Sequence, residues 1–597
     1  MILQTLYELH DRLEADPNYD VASEGFSLQK ITFVIVLEPD GSLVEIQDWR
    51  QKDGNQMRPR ICQVLGAAKP PGAGINPCLL WDNTGYLLGY KKEDPKPERA
   101  IKTFHASRAH HIGIEAEIDD PSFSTACRFL ESWRPEQAPE FPILDEVATG
   151  FGLFKIRGQN HFIHEAPAIH AWWLKQLEQK EGDGLTSNCL ITGKNSAIAD
   201  LHAPKIKGVK DAQGAGALIV SFNKKAFESY GRESGLNAPV SEVAASKYCK
   251  ALNALLTSDR HRIQIGDATT VFWTESPTKF ERCVTAVMAG FDEPDADEEP
   301  TDSQATTLMG SLQDSLRAMG KGGDPTRDFS DELGTPFYIL GLTGQAGGRI
   351  GIRFWHHTTV GDLMRNLAAH HADLGIVREW DDSAKRPDPE FPAVWMLLRQ
   401  TGRESKDVPP NLGGALMHSI LQRTPYPQVL ATGVLNRIRA DRQINYLRAA
   451  ILKGWLTRLP NSNIQIPMTY QAENAEPAYR LGALFALLEK TQADALGDVN
   501  AGIRDRFYSS ASATPANVFP RLMRTYGHHL SKASSGNKGY EISREREVQT
   551  ILGEPTPLLD FPAHLNLRQQ GLFAIGYYHK RKDIYTKKKE PTVSKDA

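Results

Sequence analysis

Near residue 410 the chain changes its hydrophobic period, and that change most constrains its architecture. Downstream, ALMHSILQ, PQVLATGVLNRIRADRQ, NYLRAAILKGWL and AYRLGALFALLEKTQADAL repeat apolar residues every three to four positions. This spacing gives each helix one stripe to bury against its neighbours. Upstream, short apolar runs alternate with turn residues. ITFVIVL, Pro39-Asp40-Gly41-Ser42 and LVEI read as strand, turn, strand. CLLW-DNTG-YLLGY predicts a second hairpin, with Gly85 taking a left-handed position. FGLFKIRGQNHFIHE predicts a third and NCLI-TGKN-SAIA a fourth, while ALIVSF and TVFWTE supply further strands. EVAASKYCKALNALL, led by Ser241, and the opening MILQTLYELHDRLEADP read as helices.

The resulting expectation is an α+β fold. Residues 1–290 form a mixed strand and helix region, and residues 337–409 a smaller mixed segment with the FYILGL and RIGIRFW strands. Residues 410–597 form an all-helical bundle, in which Thr514-Pro515 places a capping hydroxyl before a proline at a first helical position. Residues 291–336 differ from all of these. FDEPDADEEPTD holds seven acids and no base, and GKGGDPTRDFSDELG adds glycine and more acid, which predicts a linker or insertion. The same acids could also occupy a basic groove as a phosphate mimic.

Net charge is −4, so any polyanion-binding surface must be local. From Met468 onward there are 18 Lys and Arg against 14 Asp and Glu, which leaves 51 against 59 upstream. The helical region is therefore basic and the remainder acidic. Six cysteines are scattered without CxxC spacing, which argues against zinc and disulfide frameworks. No apolar run approaches a membrane span, and the start lacks the pattern of a signal peptide, so a cytoplasmic chain is expected.

Catalytic signatures are absent: there is no GxxxxGK[ST], GxSxG or HExxH. Thr192-Gly193-Lys194-Asn195 reads as a turn. His10-Asp11 would need third and fourth ligands to serve a metal-dependent nuclease. The pairs His110-His111, His356-His357, His370-His371 and His528-His529 diverge on a helix, so structural or surface roles are expected of them. No metal or other cofactor is expected.

Three basic features remain. KPPGAGINP, residues 69–77, is stiffened by prolines, and Gly72 and Gly74 let the backbone approach a groove. Lys69 carries charge and Asn76 can read a base edge. A tight structural turn would need many of the same residues. Lys205, Lys207 and Lys210, followed by Gln213, suit a phosphate backbone, and Lys205 and Lys207 share a face if the chain is extended. Arg521, Arg524, His528 and Lys532 form one helical stripe, with Leu522, Tyr526 and Leu530 spaced for burial. Solvated loops and a solvated helix face account equally for the second and third.

Taken together, CLLWDNTGYLLGY, NCLITGKNSAIADLHAPKIKGVKDAQGAGALIVSFNKKAFESYG, NAPVSEVAASKYCKALNALL, TVFWTES, RTPYPQVL and AYRLGALFALLEKTQADAL through IRDRFYSSASATPANVFPRL resemble the large subunit of the type I-C CRISPR surveillance complex, Cascade. The resemblance implies a non-catalytic subunit of a crRNA-bound complex, beside the subunit that holds the crRNA 5′ handle. It implies recognition of a protospacer-adjacent motif in duplex DNA, strand opening, retention of the displaced strand and recruitment of a helicase–nuclease. It also implies that the helical region resembles the small subunit, made separately from an internal start, here near Met468. On this reading Lys69, Gly72, Gly74, Asn76 and Asn83 contact the motif. Lys205, Lys207, Lys210 and Gln213 clamp the duplex, and Arg521, Arg524, His528 and Lys532 follow the displaced strand. A metal-dependent nuclease using His10 and Asp11, or a scaffold binding only proteins, are the competing classes.

Overall fold

The computed structural model describes residues 1–54, 56–66, 74–93, 97–147, 150–180, 186–222, 224–282, 284, 313–314, 317, 324, 326–345, 348–381, 383–460, 465–497, 501–558 and 560–586. Lys69, Gly72, Cys283 and most of the acidic segment lie outside these residues. The fold is α+β, and it divides into two compact units. One holds residues 1–208, 212–257 and 346–349; the other holds 209–211, 258–345 and 350–597.

The first unit is organised by β1 (Phe26–Leu37), whose residues from Ile31 to Leu37 are all buried. That explains the unbroken ITFVIVL run: a strand covered on both faces has no polar face to alternate with. Its first half pairs antiparallel with β5 (Arg60–Leu65) and its second half with β2 (Leu43–Asp48). β7 (Phe151–Ile156) runs parallel beside it, and β6 (Trp81–Asn83) closes the sheet antiparallel to β7. Two small hairpins, β3 (Gln51–Asp53) with β4 (Gln56–Arg58) and β8 (Thr186–Asn188) with β9 (Asn195–Ala197), lie apart from it. Phe33, Phe123, Phe129 and Phe154 pack between the sheet and helices α2 (Thr84–Leu88), α3 (Pro97–Ile118), α4 (Pro121–Ser132), α5 (Ile143–Val147) and α6 (Pro167–Lys180). α1 (Ile2–Ala15) packs on α7 (Glu242–Thr257).

The second unit opens with a four-stranded sheet in the order β10 (Arg262–Ile265), β11 (Ala268–Thr274), β12 (Pro336–Gln345), β13 (Arg349–Thr359). Helices follow: α8 (Val360–Leu374), α9 (Val394–Arg399), α10 (Leu412–Leu421), α11 (Gln428–Asp441), α12 (Tyr446–Thr457), α13 (Pro477–Leu496), α14 (Ile503–Ala511), α15 (Pro515–Ser534), α16 (Lys538–Gly553) and α17 (Leu567–Tyr585). One core runs from Ile263 to Tyr578.

Several local expectations change. The boundary expected near 290 falls at 257/258, because β11 pairs with β12, with Thr269 opposite Leu342. Residues 337–409 share the core of the helical bundle instead of standing apart from it. CLLWDNTGYLLGY is not a hairpin: Asn83 Oδ1 accepts the N–H groups of Gly85 and Tyr86 and so caps α2. The left-handed glycine is Gly89, at the end of that helix, with φ 67°. FGLFKIRGQNHFIHE forms β7, one bridge from Lys155 to Phe162 and a short 3-10 turn. ALIVSF contributes only isolated bridges at Ala217 and Leu218. Thr514 does not cap α15; its hydroxyl donates to the Ser510 carbonyl instead.

Candidate nucleic-acid interface

The first candidate surface follows β5. Trp81 Nε1 donates to the Leu65 carbonyl at 2.7 Å, which holds together the two ends of the segment between β5 and β6. Within it, Gly74, Ile75 and Asn76 are exposed. The residues after them are anchored. The Asn76 N–H donates to the Tyr86 hydroxyl at 3.2 Å, the Cys78 N–H to Asp82 Oδ2 at 3.1 Å, and the Leu80 N–H to His111 Nε2 at 2.9 Å. His111 is fully buried and its Nδ1 lies 2.7 Å from the Ser107 carbonyl, so Nδ1 carries the proton and Nε2 accepts. The Asn76 amide is thus presented to solvent from a fixed backbone. Asn83, by contrast, spends its side-chain oxygen on the α2 cap and only part of its surface is open.

The second surface is the extended stretch Lys205–Lys207. Ile206 is buried and bridges Ala217, while Lys205 and Lys207 are exposed on the opposite face. Asn253 of α7 fixes this backbone: its Oδ1 accepts from the Lys207 N–H at 2.9 Å and its Nδ2 donates to the Lys205 carbonyl at 3.1 Å. Gly216, with φ 96°, lets the return chain approach, since a Cβ there would lie 2.7 Å from Lys205 Cβ. Gln213 is exposed and its carbonyl accepts from the Gly216 N–H. Lys210 belongs to the second unit, where its N–H donates to Thr269 Oγ1 at 3.0 Å and its side chain is exposed.

The third surface is α15. Leu522, Tyr526 and Leu530 are buried, and Arg521, Arg524, His528 and Lys532 are all exposed. The Arg521 guanidinium lies over the Phe507 ring at 5.3 Å, so its stem is packed while its charge stays outward. None of the four pairs with a carboxylate among the described residues. Such a stripe offers the charges of Arg521, Arg524 and Lys532, with the His528 ring between them, open to an anionic strand.

His10 occupies a different setting. It is buried on α1, with Nδ1 3.3 Å from Asp11 Oδ1 and 3.5 Å from Glu14 Oε2. These three could surround a cation by distance alone. However, Lys247 Nζ already sits 2.8 Å from Asp11 Oδ1. Burial pushes nearby Lys250 down to about 8, and burial also lowers the His10 pKa. Asp11 is therefore an ion-pair partner in the α1–α7 contact. Of the adjacent histidine pairs, His111, His356, His370 and His371 are buried and His528 is exposed.

Sequence reading missed Asn253, Tyr86 and Asp82, which position the exposed groups without being basic themselves. Asn253 lies on an amphipathic helix far along the chain, and nothing local marks it as an anchor. No helix among the described residues is long and apolar enough to cross a membrane. A family model described as "CRISPR-associated protein (Cas_Csd1)" matches residues 6–585. No curated protein matches the chain.

Proposed function

The chain belongs to the CRISPR-associated Cas_Csd1 family, and from that premise we propose that it is the large subunit of a type I-C RNA-guided surveillance complex. In this reading it is a non-catalytic, cytoplasmic DNA-binding subunit. It recognises a short protospacer-adjacent motif in duplex DNA, starts strand separation, holds the displaced strand and helps recruit the helicase–nuclease. Specificity along the target belongs to guide pairing, as in RNA-guided effectors generally. Its partners are the crRNA-bound backbone subunits, the 5′-handle subunit and a small subunit started near Met468.

The observation that carries this reading is the α15 stripe: Arg521, Arg524, His528 and Lys532 exposed together, unpaired with acids among the described residues, over a buried Leu522–Tyr526–Leu530 face. Such a row suits the phosphates of a single strand. The Asn253-anchored Lys205 and Lys207 offer a second contact of the same chemistry, suited to a duplex backbone, and the exposed Asn76, with its backbone held by Tyr86, supports motif contact.

In the co-expressed complex, Arg521→Ala with Arg524→Ala is expected to destabilise the R-loop and leave motif preference unchanged. Each lost phosphate contact should flatten the slope of log affinity against log salt by roughly 0.7–0.9. Affinity titrations over a salt series on a guide-matched target check this. An unchanged slope, or a changed motif preference, would remove α15 from the displaced-strand path.

A further inference from the structure

Among the described residues, Tyr230 is the most exposed large hydrophobic side chain, with 99% of its surface open. Exposure alone is common. What sets Tyr230 apart is the backbone beneath it. Tyr230 has φ 56° and the following Gly231 φ 68°, and the Arg232 N–H donates to the Ser229 carbonyl at 3.0 Å. Two successive positive φ angles closed by this hydrogen bond match a tight two-residue hairpin turn. Asn and Gly occupy its first central position at little cost, while a bulky aromatic residue there is an outlier. An aromatic ring has therefore been placed where the backbone favours Asn.

The turn is also rigidly mounted. Asn237 Oδ1 accepts the Ser229 N–H at 2.9 Å, and Asn237 Nδ2 donates to the carbonyls of Arg232 at 2.9 Å and Ser234 at 3.0 Å. One amide thus joins both arms. Gly235 seats the base against residue 199, for a Cβ there would lie 2.1 Å from the Ala199 carbonyl oxygen. Arg232 is exposed beside the tip, Lys224 and Lys225 are exposed in the segment that leads up to the turn, and Glu228 and Glu233 flank it. Arg349 covers Phe227 at 5.2 Å and adds a cation at the base.

We infer that Tyr230 is a base-stacking finger: its ring takes the face of an unpaired nucleobase while Arg232, in the same turn, takes an adjoining phosphate. Every base offers a π-face, so such a contact tolerates any sequence. Both ring faces are open, and the fixed turn means that little freedom is lost on binding. The occupant is single-stranded nucleic acid, such as the opened target. The inference rests on the DNA-binding reading above, but it uses none of the residues assigned there.

The test uses the co-expressed complex and a guide-matched target with 2-aminopurine placed at successive positions in the strand that becomes unpaired. Wild type is expected to quench the probe at one position. Tyr230→Asn keeps the turn, since Asn accepts its backbone, and is expected to abolish that quenching and lower affinity by about 5- to 150-fold. Tyr230→Phe should behave as wild type. Asn237→Ala, which frees the arms but leaves the ring, should fall between the two. If wild type binds DNA with a steep salt dependence and Tyr230→Asn is indistinguishable from it, the finger is wrong and the DNA-binding reading stands. If Tyr230→Asn instead prevents assembly of the complex on size exclusion, the ring meets a protein and the inference is overturned. If the wild-type complex shows no salt-dependent DNA affinity, both fall.

Discussion

Gly482→Ala is expected to unfold the helical bundle or lower its thermal midpoint sharply. α13 and α17 approach until their backbones touch, through a pair of glycines facing each other's main chain. A Cβ on Gly482 would lie 1.9 Å from the Phe573 carbonyl oxygen and 2.8 Å from the Tyr577 nitrogen. A Cβ on Gly576 would lie 2.0 Å from the Tyr479 carbonyl oxygen. The obstacle in both cases is backbone, which cannot rotate away, so the helices must separate by more than an ångström. That separation would loosen the hydrogen bond between Tyr479 Oη and His579 Nδ1 at 2.9 Å, and the one from Tyr577 to Glu489 at 2.5 Å. Overpacking of this kind costs about 3 kcal/mol or more, or about 6 °C or more in midpoint. Gly527 is the matched control. It lies on α15 with no heavy atom near its absent Cβ, so Gly527→Ala should stabilise by about 0.4–1 kcal/mol. Calorimetry on the three proteins decides it. A Gly482→Ala variant that melts with wild type would mean the helices do not meet in this way.

Stability should fall steeply as the pH drops from 6.5 toward 4. Burial holds His111 and His371 at about 4. Burial, helped by the Lys453 ammonium, holds His579 at about 4 as well. Burial also pushes His370 well below its ordinary value. In the unfolded chain these rings titrate near 6.5. Below that pH the unfolded state takes up protons that the folded state refuses, so each histidine favours unfolding progressively until its folded value is reached. The loss approaches about 1.4 kcal/mol per pH unit for each residue. The second unit, with His356, His370, His371 and His579 all held low by burial, should therefore lose several times the single-residue amount per unit, and the first, with His111 and the lowered His10, His164 and His202, adds losses of the same sign. Above pH 6.5 these groups contribute fully and no further gain is expected from them. Thermal melts at pH 7, 6 and 5 check the slope. A midpoint unchanged between 7 and 5 would contradict the burial of neutral imidazoles.

The parts legible in the sequence were those set by local period. The α15 stripe could be read because Arg521, Arg524, His528 and Lys532 repeat at helical spacing against Leu522, Tyr526 and Leu530, and burial follows that division. Lys205 and Lys207 flank Ile206 at strand spacing, and the same alternation separates exposed from buried. What could not be read depended on distant partners or on one side chain's choice. DNTG has the composition of a hairpin turn, yet Asn83 turned its oxygen to a helix start. β10 and β11 looked continuous with the first region, and only pairing with β12 assigned them to the second. The anchoring of Lys205 and Lys207 by Asn253 joins residues with no local signal between them.

The central claim is that this chain reads duplex DNA where an RNA-guided complex enters its target. The most direct measurement is a gel shift at fixed salt with the co-expressed complex. It compares wild type with Lys69→Ala/Asn76→Ala on guide-matched duplexes with and without a protospacer-adjacent motif, and on a pre-opened bubble. Wild type is expected to prefer the motif, and the variant to lose that preference on duplex and to bind the bubble with a smaller loss. Equal losses on duplex and bubble, or a variant that still prefers the motif, would contradict the claim.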